Sequence, residues 1–242
     1  MSEGMILLHG VGLDRHIFAD LRAELVVNTH AYDLRGSGEG PPWVGAASLS
    51  QFAQDLWAEA DALGWDCFAL CGFSMGAMIA QYAALERSER VSHLVLLNAV
   101  YDRTQAQRDA VAARLTLAQE QGPAEIIEGA LARWFTADFS PPDLVAKTRA
   151  RLESNDADQF LRNYEMFSVA DQQISGRLSF LSMPVFVATG ALDQGSSPEM
   201  TQGMAAVIPN AHAKVYAGAA HFLPLQYPKQ LAQDIANWME AT

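Results

Sequence analysis

Cysteine is scarce in this 242-residue chain. Its two copies, Cys67 and Cys71, stand close together in the apolar run CFALCG. They are too few and too close for a secreted disulfide framework, and no metal-ligating residues keep them company; the expectation is two buried thiols in a reducing compartment. Cations are also short. Sixteen Lys and Arg stand against 28 Asp and Glu, for a formal net charge of -12, and no Lys/Arg run occurs. Such a surface repels phosphate backbones and anionic headgroups, so neither nucleic acid nor a membrane is expected as a partner. Long apolar runs are missing too. The opening MSEGMILLHG carries an acid and a four-residue apolar run, unlike a signal peptide, and no stretch has the length and apolarity to span a bilayer. A cytoplasmic location is the expectation. Internal repeats and low-complexity linkers are absent.

What the chain does have is apolar content of 50% and enough length for one substantial core with an accessory element. Short runs rich in Val, Ile, Leu and Phe alternate with longer stretches of helical spacing, which reads as βαβ units around a mostly parallel sheet. Six strands are expected, at residues 5–10, 29–34, 67–72, 93–98, 184–190 and 211–218. A helix is expected from Ser48 or Ser50 to Gly64, and another over 228–242 with Leu231, Ile235, Trp238 and Met239 on one stripe. Residues 99–183 break the rhythm with several helical patterns and no strand. They predict a helical lid inserted into a core formed by 1–98 and 184–242.

The sharpest motif is Gly72-Phe73-Ser74-Met75-Gly76, which follows an apolar strand and opens a helix. A nucleophile elbow needs this setting: the tight turn strains the serine backbone and exposes its hydroxyl at the carboxyl end of the sheet, while the glycines remove colliding Cβ atoms. A serine hydroxyl needs a general base, and the base needs an acid to fix its tautomer. Asp193 and His221 each follow the end of an expected strand, in the order Ser, Asp, His that this elbow uses. The expected roles are nucleophile for Ser74, base for His221 and orienting acid for Asp193. The oxyanion donors expected are the amides of Met75, at a helix amino terminus, and of Val11 in the loop His9-Gly10-Val11-Gly12, with Gly12 as the alternative.

Competing residues have weaker claims. His93 and His30 lie on strands, and His212 enters the last one. His16 follows the first loop and is a candidate for substrate contact. Asp102, after the fourth strand, is the alternative acid. Gly10-Val11-Gly12 with Asp33 imitates part of a dinucleotide fingerprint, but Arg15 replaces the third glycine and the reading leaves Ser74, Asp193 and His221 unexplained.

Together the His9-Gly10 loop, the turn Asp33-Leu34-Arg35-Gly36-Ser37-Gly38, the Ser74 elbow, the Gly190-Ala191-Leu192-Asp193 loop and the Gly218-Ala219-Ala220-His221 loop resemble the α/β-hydrolase superfamily over essentially the whole chain. The segment Leu131-Ala132-Arg133-Trp134-Phe135-Thr136 looks like the 3-oxoadipate enol-lactonase branch of the carboxylic ester hydrolases. The resemblance implies a small ester or lactone substrate, no metal or organic cofactor, and a substrate carboxylate met by Arg133 or Trp134. Two departures stand out. Only eight residues precede His9, too few for the superfamily's usual first hairpin, and Gly40-Pro41-Pro42 replaces the usual end of the turn. The shortened six-stranded sheet leaves 29–34 as an edge, to be covered or paired in a homodimer. Phe135, Phe139, Phe160, Tyr164, Met166 and Phe167 suggest an apolar roof. A C–C bond hydrolase, a cofactor-free lyase, a perhydrolase side activity and a triad-bearing ligand receptor or signalling protein remain alternatives.

Overall fold

The computed structural model describes residues 4–136 and 138–242. The branched and apolar runs form six strands: β1 (Met5–Leu8), β2 (Thr29–Ala31), β3 (Phe68–Phe73), β4 (Val91–Leu97), β5 (Val185–Gly190) and β6 (Ala211–Tyr216). They make one sheet of order β2-β1-β3-β4-β5-β6, every neighbouring pair parallel. The register sets Leu8 beside Gly72, Phe73 beside Leu97, and Gly190 beside Tyr216, so the carboxyl ends of the strands lie along one rim. The chain runs outward from β1 to β2, then returns to place β3 on the other side of β1. Ligands of open α/β sheets bind beyond the carboxyl ends at such a reversal.

Eleven α-helices appear among the described residues: α1 (Ala19–Glu24), α2 (Leu49–Leu63), α3 (Met75–Glu86), α4 (Gln105–Gln121), α5 (Ile127–Trp134), α6 (Pro142–Glu153), α7 (Ala157–Val169), α8 (Asp171–Ile174), α9 (Pro198–Val207), α10 (Leu223–Gln226) and α11 (Pro228–Ala241). Ser48, rather than Ser50, caps α2 by accepting the Gln51 amide at 3.2 Å, and Gly64 ends the helix in the left-handed region. Alternate strand residues face opposite sides, and both sides are apolar. Ile6, Leu70 and Leu96 pack with Phe52, Leu56 and Met78 of α2 and α3. Leu7, Cys71 and Val95 pack with Leu21 of α1 and Leu231 and Ile235 of α11. Two-sided burial is what a parallel sheet's continuous apolar runs require.

The strand expected over 29–34 stops at Ala31. Its later residues have other partners: the Leu34 amide donates to His9 Nε2 at 3.0 Å, and the Asp33 carboxylate accepts the Arg15 and Glu39 amides, each at 2.8 Å. The brevity of β2 itself blunts the edge. Between β4 and β5, α4 to α8 form a helical insertion that contributes no strand to the sheet. Helix α7 fastens it to the core: Trp43 Nε1 donates to Asn163 Oδ1 at 2.7 Å, and Asn163 Nδ2 donates to the Arg35 carbonyl at 3.0 Å. Among the described residues, no helix is long and apolar enough to cross a membrane.

Candidate active site

At the end of β3 a single residue, Ser74, turns the chain into α3. It takes φ 55° and ψ -115°, a conformation strained for any residue with a Cβ. Neighbouring backbone passes close by. A Cβ at Gly76 would strike the Leu8 carbonyl oxygen, and one at Gly72 would strike the Gly76 carbonyl oxygen. The elbow therefore needs glycine at both positions.

Asp193 and His221 arrive from the ends of β5 and β6. The Leu192 amide donates to the Ala219 carbonyl at 2.8 Å, tying their two loops together. His221 Nδ1 lies 2.8 Å from Asp193 Oδ2, and its Nε2 lies 3.1 Å from Ser74 Oγ. All three residues are buried. Asp193 Oδ1 accepts the Gly195 and Ser196 amides at 2.9 and 3.0 Å, and Oδ2 accepts Asn98 Nδ2 at 2.8 Å. Burial opposes the carboxylate's charge. The His221 charge and hydrogen bond, the Ser196 amide and Asn98 outweigh it and hold the Asp193 pKa below its ordinary value. The arrangement can pass a proton from a hydroxyl to an imidazole whose tautomer is fixed by a persistent anion.

Met75 directly follows Ser74 and Val11 lines the cavity with it, and neither amide has an acceptor among the hydrogen bonds of the described residues. His9 steadies the loop that carries Val11. Its ring is fully buried, contacts the Gly10 carbonyl through Nδ1 at 2.8 Å and accepts the Leu34 amide at Nε2. Burial lowers its pKa and favours the neutral ring. Asn155, between α6 and α7, donates to the Gly12 carbonyl at 2.9 Å, so the helical insertion also grips this loop.

A cavity opens above Ser74 and His221, walled by Val11 and by Val111, Ile126, Phe160 and Tyr164 of the insertion. Arg133 and Trp134 both line it. The Trp134 ring stacks on His221 with centroids 5.8 Å apart and planes at 20°, while the Phe73 ring packs against His221 at 5.2 Å. His16 does not reach the cavity. Its side chain is 73% exposed and its Nδ1 sits 3.2 Å from Asp14 Oδ1, because Asp14 caps the turn that carries it. Of the expected apolar roof, Phe160, Tyr164 and Phe167 line the cavity, whereas Phe135, Phe139 and Met166 pack into the apolar clusters. Asp102 is exposed and its amide donates to Ser175 Oγ; it has no contact with His221. His30 pairs with Glu59, His93 packs edge-on to Trp238, and His212 stacks on Phe186.

Four residues that shape the site carry no motif in the sequence: Asn98, Arg103, Arg114 and Asn155. Only Asn98 has a positional signal, since it directly follows β4 on the same rim as Ser74. No cluster of metal-ligating residues occurs among the described residues.

The family model described as the alpha/beta hydrolase fold matches residues 5–228. Over 245 aligned residues the chain is 29% identical to (E)-2-((N-methylformamido)methylene)succinate hydrolase of Acinetobacter baylyi, covering 100% of this chain and 92% of that protein. It is 33% identical over 164 residues to 3-oxoadipate enol-lactonase 2 of the same organism, covering 67% of this chain and 60% of that one. The enol-lactonase from Burkholderia xenovorans LB400 superposes with a TM-score of 0.90 at 22% identity, across 99% of this chain and 92% of that one, which shows a shared fold. With the fold, the elbow and the matched length in agreement, the chain belongs to the alpha/beta hydrolase fold family.

Proposed function

We propose that the protein is a serine hydrolase that cleaves a small carboxylic ester or lactone through an acyl-enzyme on Ser74. The observation that carries this reading is the continuous chain from Ser74 Oγ through His221 to Asp193, with contacts of 3.1 and 2.8 Å. Ser74 Oγ attacks the substrate carbonyl while its proton passes to His221 Nε2. The negative charge moves to the carbonyl oxygen, where the Val11 and Met75 amides and the amino end of α3 stabilise it. Collapse breaks the bond to the alkoxide, which takes the proton back from His221. For a lactone that alkoxide stays tethered to the acyl group. Water then attacks the acyl-enzyme, its proton passes to His221, and collapse returns that proton to Ser74 as the acid leaves.

Trp134 has a place in this scheme as a wall that holds the His221 ring and shields it from bulk water. No step calls for a metal or an organic cofactor. The hydrolase and lactonase names of the two Acinetobacter relatives support the reaction class. A fluorophosphonate probe should add its mass to the wild type and leave Ser74→Ala unlabelled; labelling that survives in the variant removes Ser74 from the role. Proton release from a panel of lactones, short esters and β-diketones then separates ester cleavage from C–C bond hydrolysis.

A further inference from the structure

The cavity beside Ser74 contains more positive charge than its own carboxylates neutralise. Three arginines line it: Arg103 just before α4, Arg114 on α4 and Arg133 on α5. The carboxylate of Asp193 also lines it but is committed to His221. Arg103 has a partner, since its Nη1 lies 2.8 Å from Asp171 Oδ1 and both side chains are almost fully buried. Arg114 donates through Nε to the Tyr164 hydroxyl at 3.1 Å, and no carboxylate among the described residues pairs with it. Arg133 has neither a hydrogen bond nor an ion pair among the described residues. Cancelling Arg103 against Asp171 leaves two uncompensated cations.

Arg103 supplies a second, independent observation. Its residue is 3% exposed, and Nη1 is saturated by the Phe167 and Ser168 carbonyls together with Asp171. Its Nη2 is buried with no partner, while the guanidinium lies over the Phe167 ring at 4.6 Å. A buried donor left unpaired bears the full cost of its lost hydration, and the cost is greater on a charged group. Burial and the neighbouring Arg114 charge both depress the Arg133 pKa, yet a guanidinium stays protonated, so the group bears that cost as an uncompensated positive charge. Arg103, already paired with Asp171, adds to the positive field of the cavity, and an anion there relieves the two uncompensated groups, Arg114 and Arg133.

We propose that the substrate bears two carboxylates, held by Arg114 and Arg133. This inference rests on the hydrolase reading of Ser74 and names its substrate class. Planar guanidinium forks match carboxylates in geometry, and the Tyr164 hydroxyl fixes Arg114 through Nε while leaving its outer nitrogens for the ligand. Val111, Ile126 and Phe160 supply an apolar wall for the carbon chain between the charges. The net charge of -12 opposes anions at a distance, so recognition is confined to these short-range contacts.

The test uses Ser74→Ala, in which esters bind without turnover. Succinate, glutarate and adipate, each with its monomethyl and dimethyl ester, present one carbon chain with two, one or no charges. Calorimetric titration should show, for at least one chain length, the diacid binding about tenfold tighter than the monoester and the monoester about tenfold tighter than the diester. Adding Arg114→Gln or Arg133→Gln should erase one of these steps while diester binding changes less than about twofold. Equal affinity for diacid and monoester at every length overturns the proposal in the parent protein, whether or not the arginine variants fold. Equal losses for charged and neutral ligands in either variant overturn it as well. Fluorophosphonate labelling of wild type reports separately on Ser74, so a failure of the hydrolase reading is distinguishable from a failure of the two-carboxylate site.

Discussion

The Asn98 side chain forms no hydrogen bond with Ser74 or His221, yet it helps to hold the Asp193 charge. Its Nδ2 donates to Asp193 Oδ2 at 2.8 Å, from a backbone at φ 48°. Asn98→Gly removes the amide and keeps the left-handed backbone unstrained. Losing a hydrogen bond to a buried charged group should destabilise the fold by about 1.5–3 kcal/mol at pH 7. The pH dependence follows from the lowered Asp193 pKa. The stability this carboxylate contributes is fully present above its ordinary value of 3.8 and is lost as pH falls through the lower folded value. Urea unfolding should therefore show a wild-type to variant gap at pH 7 that closes as pH falls below 3.8 and through the lower folded value. On the proposed mechanism kcat should fall about tenfold with KM little changed, because the Asn98 amide acts through Asp193 and Asn98 does not line the cavity. A stability gap constant across pH would assign Asn98 a packing role only. Ser74, Asp193 and His221 were legible in the sequence because each chemistry-bearing type stood just past an apolar strand. Asn98 stood in the same kind of place, but an amide after a strand reads first as a turn former.

At the scale of elements, the junction of α6 and α7 controls the loop that carries Val11. Asn155 Nδ2 donates to the Gly12 carbonyl at 2.9 Å and to the Leu152 carbonyl at 3.0 Å, and Arg151 Nε pairs with Asp14 at 3.2 Å. If the Val11 amide stabilises the oxyanion as proposed, Asn155→Ala should lower kcat about tenfold and leave KM within about twofold, since a loosened donor weakens the transition state more than substrate binding. An unchanged kcat with a raised KM would limit the junction to shaping the cavity. Helices α2 and α11 were foreseeable from their caps and apolar stripes. Helix α7 was not, because it buries Asn163 among Phe160, Tyr164 and Met166, and its polar positions acquire meaning only from the Trp43 and Arg35 groups they meet. Its distance in sequence from those partners hides the pairing. The short β2 has the same cause, since Asp33 and Leu34 leave the sheet to satisfy amides and a ring nitrogen from β1's loop.

Across the whole molecule, the charge of -12 sets the electrostatic behaviour. Self-repulsion of that size destabilises the compact state and is screened by salt. Raising sodium chloride from about 10 mM to about 0.5 M shortens the Debye length from roughly 30 Å to below 5 Å. The melting temperature at pH 7 should rise by roughly 2–4 °C, equivalent to about 1 kcal/mol for a chain of this size. Near the isoelectric point of about 4.8 the same addition should leave it nearly unchanged. A salt response of equal size at both pH values would attribute the effect to something other than net charge. The sheet, the turn at Ser74 and the placement of Asp193 and His221 past the ends of β5 and β6 were readable from the sequence alone, because strand patterning and a strained turn are local demands on neighbouring residues. That His16 faces solvent, that Asn98 and Asn155 brace the site, and that Arg103, Arg114 and Arg133 meet in one cavity emerges only from the packed fold. Those outcomes depend on how helices far apart in the chain pack over the sheet, and charges that look solvated in a helical pattern become costly once that packing removes their water.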